Sequence, residues 1–341
     1  MLRKNTIIST LFLTLLLVAC SKETEVPIMV VADFWAAGET DIIQCDVVSF
    51  NSNRENVSTW EWTFEGGTPS TANTAAATVY YDTPGNYAVT LKVTNAESGS
   101  QDVIVKEGFV KISAIESPFY AGTVWVDTDI ITTSDPTVYE KIEAKGQEMR
   151  ELYDRRVEQR ITVEAHVFEV TYSDGKVIEV LINPEISATV GRSYAEDYGK
   201  AIGRLPEFLR EGFLTVAVHR GDFVMAAGGG QMTVHVDNTG AKIENGFTEE
   251  MICHESGHLS LFHLDQDQAW RSAQQLDPVF ISDYAGEFPT REDVSETILF
   301  YLAIKYKADR ISEQDYNRIS CSIPNRIALF DEQDFALHPW N

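Results

Sequence analysis

The chain has 341 residues, of which 44% are hydrophobic and 23% charged, and it carries a formal net charge of -25 at pH 7. A mean field this negative repels polyanions, which argues against nucleic acid as a partner and against phosphate binding. The acid is dispersed through the sequence rather than gathered into a tail, so it marks a solvated surface.

Residues 1–19 read as a targeting segment. Arg3 and Lys4 give a basic start, Ile7 to Val18 is apolar apart from Ser9, Thr10 and Thr14 and too short to span a bilayer comfortably, and Ala19-Cys20 closes it. This ending resembles a bacterial lipoprotein signal. The resemblance implies cleavage before Cys20, a lipid on that cysteine, and an outer-membrane anchor facing the periplasm or the cell surface. An ordinary secretory signal with an incidental cysteine is the alternative. Residues 20–26 are a short charged linker, and the chain beyond the signal, roughly 320 residues, suffices for two domains.

Residues 27–113 alternate short apolar runs with turn residues, a pattern that predicts a small β-sandwich. Within it, Trp62 and Phe64 fall on one strand face and are expected in the core, and Pro84-Gly85 is expected to turn the chain into a hairpin. The segments Trp60-Glu61-Trp62-Thr63-Phe64-Glu65-Gly66-Gly67 and Tyr81-Asp82-Thr83-Pro84-Gly85-Asn86-Tyr87-Ala88-Val89-Thr90-Leu91 resemble the two hallmarks of PKD domains, which have an immunoglobulin-like fold. In the first segment Glu65 stands where that family has glycine and Gly66 where it has aspartate. The resemblance implies a spacer, or a module that contacts glycan or protein.

The remainder, residues 114–341, reads as an α+β domain. After a junction with scattered aromatics, Pro136 to Arg160 is charged and predicted helical. Ile161 to Val170 and Lys176 to Ile182 come next as strands around Tyr172-Ser173-Asp174-Gly175. Ser193 to Glu211 has apolar residues at helical spacing, with Pro206 ending or kinking the helix. Leu214 to His219 and Met232 to Val236 read as strands, the second preceded by Gly228-Gly229-Gly230. His235 is read as a strand residue lining a cleft, while His166, His219 and His338 offer no informative spacing.

The stretch with the most chemistry is Thr248 to His263, which contains His254-Glu255-Ser256-Gly257-His258. Thr248 is the expected N-cap, with Glu249 and Glu250 in the first turn and Ile252, Leu259 and Phe262 as apolar positions. Histidines four apart share a helix face, so both imidazoles can reach one divalent ion. The adjacent Glu255 can then take a proton from water beside that ion. A chance match to this pentapeptide arises in roughly one protein in a hundred, so its context has to decide. Gly257 costs ~1 kcal/mol inside a helix relative to alanine, a cost tolerable where the helix must approach another backbone closely.

Zinc requires a third protein ligand, and His263, Asp265 and Asp267 are read as residues outside that set, the two aspartates as solvated loop positions. Downstream, Thr290 is expected to cap a helix after Pro289 that places Glu292 and Glu296 one turn apart on one face. One can bind the ion while the other holds a ligand histidine through its second nitrogen. Asp293 and Glu296 remain alternative ligands.

Together these residues resemble a gluzincin, and more narrowly the anthrax lethal factor-like and Pro-Pro endopeptidase group, which joins H-E-x-x-H to a Y-A element and an E-x-x-x-E helix. The resemblance, carried by residues 248–300, implies a zincin-like fold, Zn2+ as cofactor and a protein or peptide substrate. It implies His254, His258 and Glu292 as metal ligands, Glu255 as general base, Glu296 behind a ligand histidine and Tyr284 as oxyanion donor. The strand Met232 to Val236 would pair with the extended substrate. The spacing from Tyr284 to Glu292 is one residue longer than usual in that group.

Beyond Cys20, the cysteines are Cys45, Cys253 and Cys321, an odd number. Cys253 is expected to point away from the metal face and to be buried, and a Cys253–Cys321 pair is the disulfide considered. The chain is read as a monomeric, lipid-anchored zinc endopeptidase. The alternatives are a catalytically silent surface-binding protein and a metal-dependent amidase acting on cell-wall peptides.

Overall fold

The structure is a computed structural model that describes residues 28–122, 126, 129–238 and 245–340. The expected signal segment, with Cys20, lies outside the described residues.

The N-terminal part is a β-sandwich. One sheet holds β1 (Trp35–Ala36), β3 (Val47–Asn51) and β6 (Ala76–Tyr80). The other runs in the order β2 (Asp41–Ile43), β8 (Gln101–Ser113), β7 (Gly85–Thr94), β4 (Thr59–Phe64) and β5 (Thr71–Ala72). Period-two alternation sends Trp62 and Phe64 inward as expected. Their rings stack 5.5 Å apart and pack with Phe34 and Phe50. At the departing turn, Gly66 has φ +66, and a Cβ there would lie 2.2 Å from the Tyr87 ring, so glycine is required. Glu65 accepts a hydrogen bond from the Ala88 amide at 2.9 Å.

The C-terminal part is built on a six-stranded sheet in the order β13 (Ala226–Gly228), β14 (Gln231–His235), β12 (Thr215–His219), β11 (Val177–Ile182), β10 (Gln159–Tyr172) and β9 (Tyr139–Asp154). Strands β11, β12 and β14 are mutually parallel, and β13 lies antiparallel at the edge. Two sequence expectations are corrected here. The segment predicted helical from Pro136 is strand β9. Its helix-forming Glu, Lys, Arg and Met are overridden by an antiparallel pairing with β10 that runs from Tyr139 to Asp154. The alternating charges serve an edge strand, as Lys145 to Glu169 and Arg150 to Glu179 reach across to the neighbours. The strand expected to receive substrate, Met232 to Val236, is interior, flanked by β12 and β13. The edge of the sheet that lies beside the helix Thr248–Ser260 is β13, open among the described residues.

The tip of the β9–β10 hairpin folds back over one face of the sheet. There the Tyr153 amide donates to the Gln231 side chain, and Leu152, Ala165 and Val167 pack on Leu181 and Ala217. The opposite face carries α1 (Ala188–Arg204) and the short α2 (Glu207–Arg210), separated by Pro206 as expected. It also carries α3 (Thr248–Ser260). Tyr198, Ile202, Ile252, Cys253 and Leu259 from these helices join Val216, Val218, Met232 and Val234 in one core. Each large buried side chain contributes ~1.5–3 kcal/mol relative to exposure. The chain continues through α4 (Gln268–Leu276), α5 (Asp283–Glu287), α6 (Asp293–Tyr306), α7 (Glu313–Ser322) and α8 (Pro324–Asp331).

The two parts are joined by a disulfide, Cys45 to Cys321, which replaces the considered Cys253–Cys321 pair. Cys253 is a buried free thiol, as its direction on the helix predicts. Next to the disulfide, Asp46 of the sandwich accepts from Gln314 and Arg318 of α7.

Candidate metal centre

Helix α3 starts after Phe247, so Thr248 is its first residue rather than its cap. Glu250 in the first turn is buried and accepts a hydrogen bond from the Ile131 amide at 3.0 Å. Gly257 brings α3 against α6: a Cβ at this position would lie 2.6 Å from Ser295 Oγ and 2.8 Å from Ser295 Cα. This close approach sets Glu292, at the start of α6, opposite the histidine face of α3. The helix begins at Asp293 with Glu292 as its N-cap, later than the Thr290 cap expected from sequence, but the turn from Glu292 to Glu296 is closed by a 2.7 Å backbone hydrogen bond.

The ligand atoms of His254, His258 and Glu292 lie within 4.8 Å of one another. Glu292 Oε2 is 3.4 Å from His254 Nε2 and 3.0 Å from His258 Nε2. A tetrahedral ion with ligands at 2.0–2.1 Å needs separations of about 3.3 Å between them, so the two separations from Glu292 fit a zinc-sized ion. The polar atoms agree with it. His254 Nδ1 sits 3.0 Å from Glu296 Oε1, and Glu296 Oε2 accepts from Ser282 Oγ at 2.6 Å. With the Nδ1 proton given to Glu296, the Nε2 lone pair faces the lone pairs of Glu292, an arrangement that a cation between them stabilises. Among the described residues, Glu292 Oε2 is buried and makes no aligned hydrogen bond, so a cation between it and the histidines would satisfy it. With protein groups alone, burial favours a neutral His254, but the Glu292 and Glu296 carboxylates outweigh it and raise the pKa to about 10. Burial raises Glu292, and the two imidazoles reverse that and hold its carboxyl well below the usual range. The centre is thus strongly coupled in charge.

Glu255 projects beside this cluster. It is buried, its Oε2 has no hydrogen-bond partner among the described residues, and burial raises its pKa against the opposing pull of His254 and His258. Tyr284 on α5 is partly exposed, with its ring 6.5 Å from the His254 ring. Burial and the Glu292 carboxylate raise its pKa.

The alternative ligands point elsewhere. Asp293 turns inward and accepts from Trp270 Nε1 and Gln274 Nε2, both at 2.8 Å, and pairs with buried Arg326. Glu296 lies behind His254. His263 is exposed, and Asp267 caps α4 by accepting from the Ala269 amide. Asp265 differs from its expected solvated position. It is half-buried, Oδ1 has no hydrogen-bond partner among the described residues, and burial pushes its carboxyl up to about 7 with His258 opposing. His235 lines no cleft: it is fully buried and stacks on His219 with ring centroids 5.2 Å apart.

Sequence reasoning missed three supporting residues. Arg291 donates to Glu292 Oε1 at 2.7 Å, leaving Oε2 to face the histidines. Ser282 fixes Glu296. The junction after the sandwich reaches the site through Tyr120, which bridges Ser282 and accepts at its carbonyl from the Asp283 amide. Arg291 was legible as a neighbour of the ligand; the other two depend on contacts across the fold.

Comparison with known proteins identifies the N-terminal part. Residues 25–107 match the family model described as PKD domain. These residues form a PKD domain. No curated protein matches the chain. A solved structure titled for the promiscuous specificity of carbohydrate-binding modules of the β-sandwich superfamily is similar at 16% identity and a TM-score of 0.21. That similarity covers 41% of this chain and 53% of the other. The PKD domain match ends before α3, so the candidate metal centre rests on its own geometry.

Proposed function

We propose that the region after the PKD domain is a zinc-dependent peptidase of the gluzincin type, with a zincin-like fold. The observation that carries this reading is the convergence of His254, His258 and Glu292 on one point, with the buried, unpartnered Glu255 beside it. When bound, zinc would polarise the scissile carbonyl and lower the pKa of a water towards ~7. Glu255 takes the proton of the attacking water and later delivers it to the leaving amine. Tyr284 donates to the developing oxyanion from the open side of the site. Glu296 holds His254 in the tautomer that turns Nε2 inward, and Arg291 orients Glu292. An extended peptide would add to the open edge of β13, beside which α3 runs.

The anchor proposed at Cys20 would place this activity in the cell envelope. The PKD domain favours a second reading, a surface-binding protein in which the cleft is retained without turnover, and an amidase acting on cell-wall peptides is the third. Elemental analysis and digestion of a peptide library and of cell-wall fragments, each with a chelator control, separate the three. The peptidase reading expects one bound zinc and chelator-sensitive cleavage of peptides. It further expects Glu255→Gln to keep zinc and lose hydrolysis, whereas His258→Ala loses both. Normal zinc content in the His258→Ala protein contradicts the ligand assignment.

A further inference from the structure

The open edge of β13 is flanked by two cations that stand out in so acidic a chain. At its leading end, Arg155 from the β9–β10 hairpin donates to the carbonyls of Val224 and Met225 at 2.8 and 3.1 Å. Its charge lies within electrostatic reach of Glu255. At the far end, Arg160 and Tyr153 of the hairpin line a cavity of about 270 Å³ with Ala226 to Gly228 of β13 and Gln231 and Thr233 of β14. The Arg160 guanidinium would lie 3.7 Å from a Cβ on Gly229.

Other arginines near this edge are neutralised. Arg156 pairs with Asp154 and Glu185, and Arg220 with Asp237. Among the described residues, neither Arg155 nor Arg160 has a carboxylate within ion-pair distance. The strand between them, Ala226-Ala227-Gly228, has no bulky side chain that would hold a neighbouring chain away from either guanidinium.

Resting on the peptidase reading, we propose that Arg155 and Arg160 select peptides with carboxylate side chains on the segment that pairs with β13. A substrate strand laid along this edge places alternate side chains towards the hairpin, where the two cations wait. The net charge of -25 repels acidic peptides at a distance, so local cations are needed where such a peptide is to dock.

The test uses the zinc-loaded protein and matched peptides that carry Glu, Gln or Lys at each position in turn, with cleavage read by mass spectrometry. Glu is expected to exceed Gln by roughly fivefold at the preferred positions, the yield of one partly exposed ion pair. In Arg155→Gln/Arg160→Gln the ratio falls to about one, and in Arg160→Gln alone, which breaks no backbone contact of the hairpin, it falls part of the way. Equal cleavage of Glu and Gln peptides by the wild type, or a ratio that survives in the double variant, overturns the proposal. Fluorescence anisotropy of the same peptides on Glu255→Gln reads the preference without turnover. A Glu preference in binding with no cleavage by the wild type leaves the charge selection standing and removes the peptidase reading. Equal binding of Glu and Gln peptides removes the charge selection alone.

Discussion

Ser295 occupies the space that a side chain on Gly257 would need, so α3 and α6 meet almost backbone to backbone at the level of the candidate metal centre. The glycine that weakens α3 as a helix is the residue that lets Glu292 approach His254 and His258. Gly257→Ala tests this directly. Alanine improves helix propensity by ~1 kcal/mol, but a Cβ 2.8 Å from Ser295 Cα forces the helices apart, and overpacking of this kind costs ~1–3 kcal/mol. The expected result is a lower urea midpoint together with weaker zinc binding in chelator competition. A variant more stable than the wild type with unchanged zinc affinity would show that the approach is not tight.

Glu296→Gln isolates the second contact of His254. The amide keeps the shape of the carboxylate but loses the charge that favours the Nδ1 proton and the inward Nε2 lone pair. Zinc affinity is expected to fall by roughly 10- to 100-fold, with the fold retained by circular dichroism. Because Ser282 Oγ donates to Glu296 Oε2, Ser282→Ala should weaken zinc in the same direction and by less. If both variants bind zinc as tightly as the wild type, the Ser282, Glu296 and His254 chain has no role in the centre.

What was legible in the sequence divides along the range of the interactions. His254 and His258 are brought together by helical periodicity alone, and Trp62 with Phe64 by the period of a strand, so both pairs could be read from spacing. Glu292 needed a second helix, where spacing offered it with Glu296 and the resemblance chose between them, and its helix boundary is displaced because the chain from Phe288 to Glu292 turns before the helix begins. Strand β9 was misread because Glu, Lys, Arg and Met favour helices locally, while the pairing with β10 is a contact along the hairpin that propensity does not express. The Cys45 to Cys321 bridge spans 276 residues, and nothing in local sequence reports which cysteines meet. Asp265 reads as a solvated loop position because it follows the helix where the chain must turn, yet the fold half-buries it within electrostatic reach of His258.

The same bridge yields a prediction about how the PKD domain is held. Cys45, Asp46 and the α7 residues Gln314, Arg318 and Cys321 form one junction, and α7 also accepts the Tyr120 hydroxyl through Asp315 at 2.8 Å. The half-buried Asp46 contacts remain open enough to solvent to be worth little alone, so the covalent link is expected to dominate. Cys45→Ser/Cys321→Ser should lose about 2–4 kcal/mol of stability and become sensitive to limited proteolysis in the junction of residues 114–134. Cleavage rates and a denaturation midpoint equal to those of the oxidised wild type would mean that the noncovalent contacts hold the junction unaided.

Away from the candidate metal centre, the buried His219 and His235 set a limit on acid stability. Burial is the main cause that lowers the pKa of His219 to about 4, with the Asp154 carboxylate opposing, and His235 is lowered in the same direction. The groups facing His219 are Asp154, which Arg156 clamps, His235, Glu185 and the Asn183 amide at 3.1 Å. A histidine whose folded pKa lies below its unfolded value of ~6.5 is protonated more readily in the unfolded chain. Stability from this group is therefore complete above about pH 6.5 and is lost as the pH falls towards about 4, by up to about 3 kcal/mol. Urea midpoints measured from pH 7 to 4.5 should fall in the wild type, and His219→Asn, which removes the titration, should show a shallower slope. Carboxylates elsewhere contribute to acid unfolding in both proteins, so the difference between the two slopes is the quantity that matters. Parallel slopes would assign the whole acid dependence to those carboxylates and none to the stacked histidines.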